Sequence, residues 1–181
     1  YETCRMSDIK NYHSEEHSLS NGQVLMRNYS FEEALVIVRE MTDNLVLDLF
    51  EKGLVTSSLT LWIAYDHRYE HEASKGTVKL ERESNSSKKI IDAVEDLYLR
   101  IADRYTGIRR IEVCANRVAP ESYVQYSLFD DPKQTDKERH LQEAVLNVKQ
   151  RYGKNAIMRG SNLLECSTYR ERNEQIGGHR A

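Results

Sequence analysis

Residues 54–83 read LVTSSLTLWIAYDHRYEHEASKGTVKLERE. The first part alternates: Leu59, Leu61, Ile63 and Tyr65 interleave with Thr60, Trp62 and Ala64, the period-two signature of a half-buried strand. The last part, 77–83, alternates again, with Val78 and Leu80 set against Thr77, Lys79 and Glu81. The polar stretch HRYEHEASKG makes the turn between them. Strands at 54–66 and 77–83 form a β-hairpin. What flanks this hairpin decides the fold.

On its N-terminal side lies FEEALVIVREMTDNLVLDLFEKG, residues 31–53. Phe31, Ala34, Leu35, Val38, Met41, Leu45 and Leu49 recur at intervals of three and four, one face of a helix. Ser30 stands at the N-cap and Glu33 three residues later completes a capping box. Gly53 supplies the C′ residue that closes the helix. Before it, SLSNGQVLMRNY (18–29) mixes β-compatible residues with turn formers and reads as a strand. On the C-terminal side, SNSSKKIIDAVEDLYLRIADRYTG (84–107) reads as a second helix. Ser86 or Ser87 caps it, Ile91, Val94, Tyr98, Ile101 and Tyr105 line its face, and Gly107 stops it. IRRIEVCANRVA (108–119) is the fourth strand, with Ile111, Val113 and Ala115 on one face and Arg110, Glu112, Cys114 and Asn116 on the other.

The order β-α-β-β-α-β places the chain in the α+β class. It predicts a four-stranded antiparallel sheet with two helices on one face. The opposite face is left without a cover, so it meets solvent or a partner. Charge is distributed accordingly. The strands at 18–29, 54–66, 75–83 and 108–118 carry a net +3, while residues 30–53 carry −4. A polyanion would prefer the sheet. Acidic helix faces also serve solubility, so charge alone leaves the choice open.

After Pro120 the pattern changes. Residues 119–134 contain YVQYSLFDDPKQ, in which Leu128 and Phe129 stand beside two aspartates and a proline, as an exposed apolar hook would. Residues 135–158 form a C-terminal helix with Leu141, Val145 and Val148 in phase and a capping box of Thr135 and Glu138. The remainder, through Ala181, is polar and reads as a tail. Residues 1–17 read as a linker.

Composition narrows the function classes. A hydrophobic content of 39% over 181 residues supports a real core. No apolar run approaches a membrane span, and the N-terminus lacks the apolar segment of a secretory signal, so we expect no membrane partner and a cytoplasmic setting. The chain begins at Tyr1 and reads as a piece of something longer. Cys4, Cys114 and Cys166 are widely spaced and make no CxxC pair, which suits a reducing compartment. His67 and His71 stand four apart, but in a hairpin turn that spacing does not build a metal site. Cys114 has no histidine placed to activate it. Gly177 and Gly178 fall in the tail, not between a strand and a helix where a phosphate cradle forms.

Four stretches, in order, resemble bacterial Y-family translesion DNA polymerases of the UmuC/MucB type. HSLSNGQVLMRNY with its capped helix is similar to the start of their C-terminal little-finger domain, and IRRIEVCANRV to that domain's last strand. QYSLFDD is similar to the pentapeptide by which these enzymes hold the β sliding clamp, and ERNEQIGGHRA to the family's ending. The resemblance runs from His17 onward. It implies the same β-α-β-β-α-β fold for residues 18–118, a clamp-binding segment at 119–134 and a C-terminal helix and tail at 135–181.

The resemblance also implies roles. Gln125 would make polar contacts at the edge of the clamp's groove, and Leu128 and Phe129 would enter its apolar pocket, with Ser127 between. Tyr126 departs from the family's usual leucine. A short edge strand packed on its own domain is the competing account of these residues. Arg109 and Arg110 match the basic pair of the family's last strand, and Arg117 lies near its far end. Lys79 and Thr77 on the hairpin, and Ser18, Ser20 and Arg27 on the first strand, extend the candidate surface for primer–template duplex. Arginine forks hold phosphates without reading bases, which suits an enzyme that copies past lesions. Some of these arginines could instead pair with Glu112 or Glu81 across the sheet. Catalytic carboxylates and their Mg²⁺ ions would belong to a palm domain N-terminal to these residues, so no cofactor is expected here. The alternative from another class is a free-standing α+β sandwich that binds a protein or small ligand on its open sheet.

Overall fold

The computed structural model describes Met6 and residues 17–122, 132–176 and 179–180. Four long strands, β1 (Leu19–Tyr29), β2 (Leu54–Tyr65), β3 (Ser74–Ser84) and β4 (Ile108–Asn116), alternate with helices α1 (Phe31–Glu51) and α2 (Ser87–Ile101) in the expected order. All neighbours are antiparallel and the sheet runs β1-β4-β2-β3. The two-residue β5 (Ala119–Pro120) pairs with the start of β2.

Both helices pack on one face. Leu59, Leu61, Ile63 and Tyr65 of β2 and Ile111, Val113 and Ala115 of β4 are buried there, as alternation requires. Against them lie Ala34, Ile37, Val38, Met41, Leu45 and Leu49 of α1, with Ile90, Val94, Leu97 and Tyr98 of α2. Each Val, Leu, Ile or Met among them contributes about 1.5–3 kcal/mol when fully buried. The Tyr98 ring packs on Phe31, and its hydroxyl donates to the Phe31 carbonyl at 2.7 Å, so this buried polar atom keeps a partner.

The first helix is capped as its sequence predicts. The Ser30 side chain accepts from the Glu33 amide and the Glu33 carboxylate accepts from the Ser30 amide. Gly53 takes the left-handed conformation (φ 61°). At the second helix, Ser86 is the cap. Its far end departs from expectation: α2 stops at Ile101, and Tyr105 is 96% exposed, not part of the buried face. The cause is local. Asp103 accepts from the Tyr105 and Thr106 amides, while its own amide donates to the Tyr65 hydroxyl at 2.8 Å. A carboxylate that holds amides two and three residues on ends a helix before a glycine can.

The turn between β2 and β3 is shorter than read, because β3 begins at Ser74. Gly76 explains the early pairing. A Cβ there would stand 2.8 Å from Leu97 Cδ1 and 3.0 Å from Ile101 Cγ2, so α2 lies directly on that backbone. We expect Gly76→Ala to destabilise the fold by about 1–3 kcal/mol, measured by urea unfolding. Unchanged stability would contradict this packing.

The C-terminal part differs most. Helix α3 (Pro132–Tyr152) begins three residues before Thr135, so Thr135 and Glu138 form no capping box. Glu138 instead accepts from the Ser86 hydroxyl and the Lys88 amide, at the N-terminus of α2. Nor is the apolar stripe the buried one: Leu141 is 64% exposed and Gln142 is buried. Leu141 and Val145 line a groove of about 480 Å³ with Leu47, Ile91, Ile157 and Met158. Residues 159–172 pack on the body, through Arg159 on Asp43 and Arg172 on Gln23. The short helix α4 (Tyr169–Asn173) buries Tyr169. Buried Glu40 accepts from the Ser167 hydroxyl and the Thr168 amide. Burial pushes the Glu40 carboxyl above its ordinary range.

Candidate nucleic-acid interface

The sheet face away from the helices is built in rows set by strand register. Lys79, Ser58 and Asn116 form one row. Thr77, Thr60, Cys114 and Ser20 form the next, followed by Lys75, Trp62, Glu112 and Gly22, then Ala64, Arg110 and Val24. Lys75, Thr77, Lys79, Ser20 and Arg110 are exposed, and Thr60, Trp62, Glu112 and Cys114 half-buried. Apolar surface is present too: Val24 is 64% and Met26 89% exposed along the edge strand.

Two networks order the face. The Thr60 and Thr77 hydroxyls are 2.8 Å apart, and Asn116 Nδ2 donates to Thr60 Oγ1 at 2.9 Å. The Arg110 guanidinium lies 5.1 Å from the centre of the Trp62 ring and 3.5 Å from the Glu112 carboxylate. Such exposed pairs contribute roughly 0–1 kcal/mol, so Arg110 remains available to a stronger anion. Thr60, Asn116, Trp62, Arg110 and Glu112 line a hollow of about 370 Å³ together with Lys75. Burial, and then the Glu112 carboxylate, push the Cys114 thiol up, so this cysteine is not poised as a thiolate.

Arg109 is the extra residue at an irregularity beside this region. Ile108 and Ile111 are both buried although three residues apart, and the register slips between Ala64 and Tyr65. The extra residue of such a bulge breaks strict alternation and re-aims its neighbours. Neither Arg109 nor Arg110 is buried. Arg117, exposed at the end of β4, adopts a left-handed backbone (φ 50°) as the chain turns towards β5. Ser18 is exposed beside the start of β1.

Arg27 lies apart from the others. It pairs with Glu33 of α1 at 2.6 Å and covers the Tyr29 ring at 4.2 Å, on the helix side of the sheet. Hydrogen bonds from Arg27 and the Ser30 amide draw Glu33 down to about 2. Lys75 is the residue that sequence reasoning missed. The alternation Lys75, Thr77, Lys79 against Gly76, Val78, Leu80 was its signal. Gln125, Tyr126, Ser127, Leu128 and Phe129 lie outside the described residues. His71 packs on Tyr65, and among the described residues no group of three or more His, Cys, Asp or Glu could hold a metal ion. No described helix is long and apolar enough to cross a membrane.

The profile of the impB/mucB/samB family C-terminal domain matches residues 16–128. The chain belongs to that family. The impB/mucB/samB domain therefore covers the whole sheet, both helices and the first residues beyond β5. Two curated relatives are each called DNA polymerase IV 2. The protein from Bacillus subtilis (strain 168) is 24% identical over 164 residues, 90% of this chain. That from Halalkalibacterium halodurans is 21% identical over 168 residues, 92% of this chain. The chain spans 39% and 40% of their respective lengths. Among solved structures, the complex of beta-clamp processivity factor and little finger domain of PolIV matches with TM-score 0.44 at 12% identity, over 63% of this chain and 100% of that one. The post-insertion binary complex of Dbh DNA polymerase matches with TM-score 0.41 at 15% identity, over 57% of this chain and 29% of that one.

Proposed function

We propose that this chain is the DNA-gripping and clamp-docking part of an error-prone translesion DNA polymerase acting in damage tolerance. The observation that carries the reading is the sheet face that no other described element covers. Helices α1 and α2 pack on the opposite side, and Arg110, Lys75 and Lys79 stand on this face, with Arg109 at the bulge beside it, among polar side chains and the apolar edge of Val24 and Met26. Thr77, Ser20 and Ser18 add hydroxyl donors for phosphate oxygens. This set suits duplex held by its backbone, because no rigid acceptor–donor array for reading base edges is present among the named side chains. Family membership and the polymerase names of the relatives support the same reading.

In this account residues 18–118 hold primer–template duplex. Residues 119–134 carry the hook for the β sliding clamp, residues 135–181 brace it, and residues 1–17 link to a palm domain. Nucleotidyl transfer and its Mg²⁺ ions belong to that palm, not to these residues. The setting is cytoplasmic, on the nucleoid. The test is fluorescence anisotropy of a labelled primer–template duplex titrated with the chain as salt is raised.

A further inference from the structure

We propose that the hollow beside Trp62 receives one unpaired nucleobase, so that the sheet favours nucleic acid with an extrahelical base over an unbroken duplex, an inference that rests on the DNA reading above. Trp62 is the single tryptophan of the chain. It stands in the middle of the open face, opposite Glu112 of β4 on one side and Lys75 of β3 on the other. Its sequence neighbours Leu61 and Ile63 are fully buried on the helix side. The indole is only half-buried, and both of its directly opposed residues are charged.

The space beside the ring is made by small neighbours. Along β2 the same-face residues on either side of Trp62 are Thr60 and Ala64. Cys114 lies diagonally across on β4, and Gly22, one strand further, has no side chain. Opposite and diagonal side chains are what fill a pleated face. Here they leave the hollow of about 370 Å³. One wall is held in place, because Thr60 is bonded to both Thr77 and Asn116.

The lining has the parts that hold an unstacked base. Bases splayed out of a helix stack on aromatic rings and are bonded along their pairing edge. The Trp62 ring supplies the platform. The Arg110 guanidinium over it is tied to Glu112 only at 3.5 Å, so it can turn outward to a flanking phosphate and leave the ring to the base. Exposed Lys75, across the ring, supplies a second cation for the strand.

Glu112 gives the selection its sign. A carboxylate in the middle of a phosphate-holding surface repels its ligand unless it faces something other than phosphate. All four bases carry an N–H on the pairing edge, and in a duplex the partner base takes it. Glu112 can accept that N–H only from a base without a partner. The choice is therefore between paired and unpaired bases, not between sequences. An extra nucleotide also has no pair to break before it leaves the stack, which makes its extrusion the least costly.

The experiment titrates the full chain into three fluorescein-labelled primer–template duplexes of equal length. One is unbroken, one carries an extra adenine nucleotide at the centre of the template strand, and one carries an abasic sugar at that place. The adenine duplex should bind about tenfold more tightly than the other two, and the ratio should persist as salt is raised, since stacking releases no counterion. It should also quench the emission of Trp62, which the abasic duplex, equally bent but lacking the base, should leave nearly unchanged. Trp62→Ala should bring the ratio to about one, and Trp62→Phe should keep most of it. Glu112→Ala should tighten the unbroken duplex while narrowing the ratio. Equal affinities for all three duplexes with a steep salt dependence would overturn the inference and leave the phosphate reading intact. Equal binding of the adenine and abasic duplexes would overturn it too, because flexibility and not the base would be selected. Binding to none of them would remove both.

Discussion

Replacing Leu128 and Phe129 together by alanine is expected to abolish binding to the β sliding clamp, a loss of about a hundredfold or more, and to leave duplex affinity within twofold of the parent. The reason is the distribution of energy in small interfaces. A few apolar anchors seated in a pocket carry most of the affinity, and polar neighbours such as Gln125 and Ser127 fix orientation. These two side chains are separated in sequence from every cation assigned to the DNA face, so the two activities should part cleanly. Surface plasmon resonance against the clamp, paired with duplex anisotropy, reads both. Parallel losses in the two assays would mean that the hook residues support the fold instead of a partner.

The second large effect falls on the sheet. Arg109→Ala with Arg110→Ala should weaken duplex binding about tenfold to a hundredfold at physiological salt and reduce the slope of log K against log salt by about 2. Loss of the slope matters more than loss of affinity. A phosphate contact releases a counterion when it forms, so its removal shows as a change in salt dependence, independent of sequence. The double variant should fold normally, because neither side chain is buried and, among the described residues, the contacts of Arg110 are the weak ones to Trp62 and Glu112. Lys79→Ala, on the outer strand, should act in the same direction with a slope change of about 1.

Much of this was legible in the sequence, and the reasons are physical. Period-two alternation in 54–66 named the inward residues of β2 because a strand buried on one face has no other solution. Ser30, Glu33 and Gly53 named the ends of α1 because orphan amides and a left-handed turn need those residue types. Strand order was not legible: alternation says which face a residue occupies, not which strand is its neighbour. The end of α2 was misplaced because Asp103 and Tyr65, which stop it, are brought together only by the fold. Helix α3 was read by its apolar stripe, yet it docks through Glu138, Arg139 and Gln142. A search for apolar periodicity selects the wrong face of such a helix. The tail failed for a related reason, since Tyr169 is buried beside polar partners that composition marks as surface. At the candidate DNA face, the arginine pair stood out in sequence. The bulge that takes Arg109 out of the alternation, and Lys75 beyond the assumed turn, required the register.

The most direct measurement is the salt dependence of primer–template binding by the intact chain, followed by anisotropy between about 50 and 200 mM salt. With Arg109, Arg110, Lys75 and Lys79 on phosphates, log K should fall linearly with log salt with a slope of about −3 to −4. A slope near zero, with or without binding, would contradict the account and return the open sheet to a protein or small-molecule ligand.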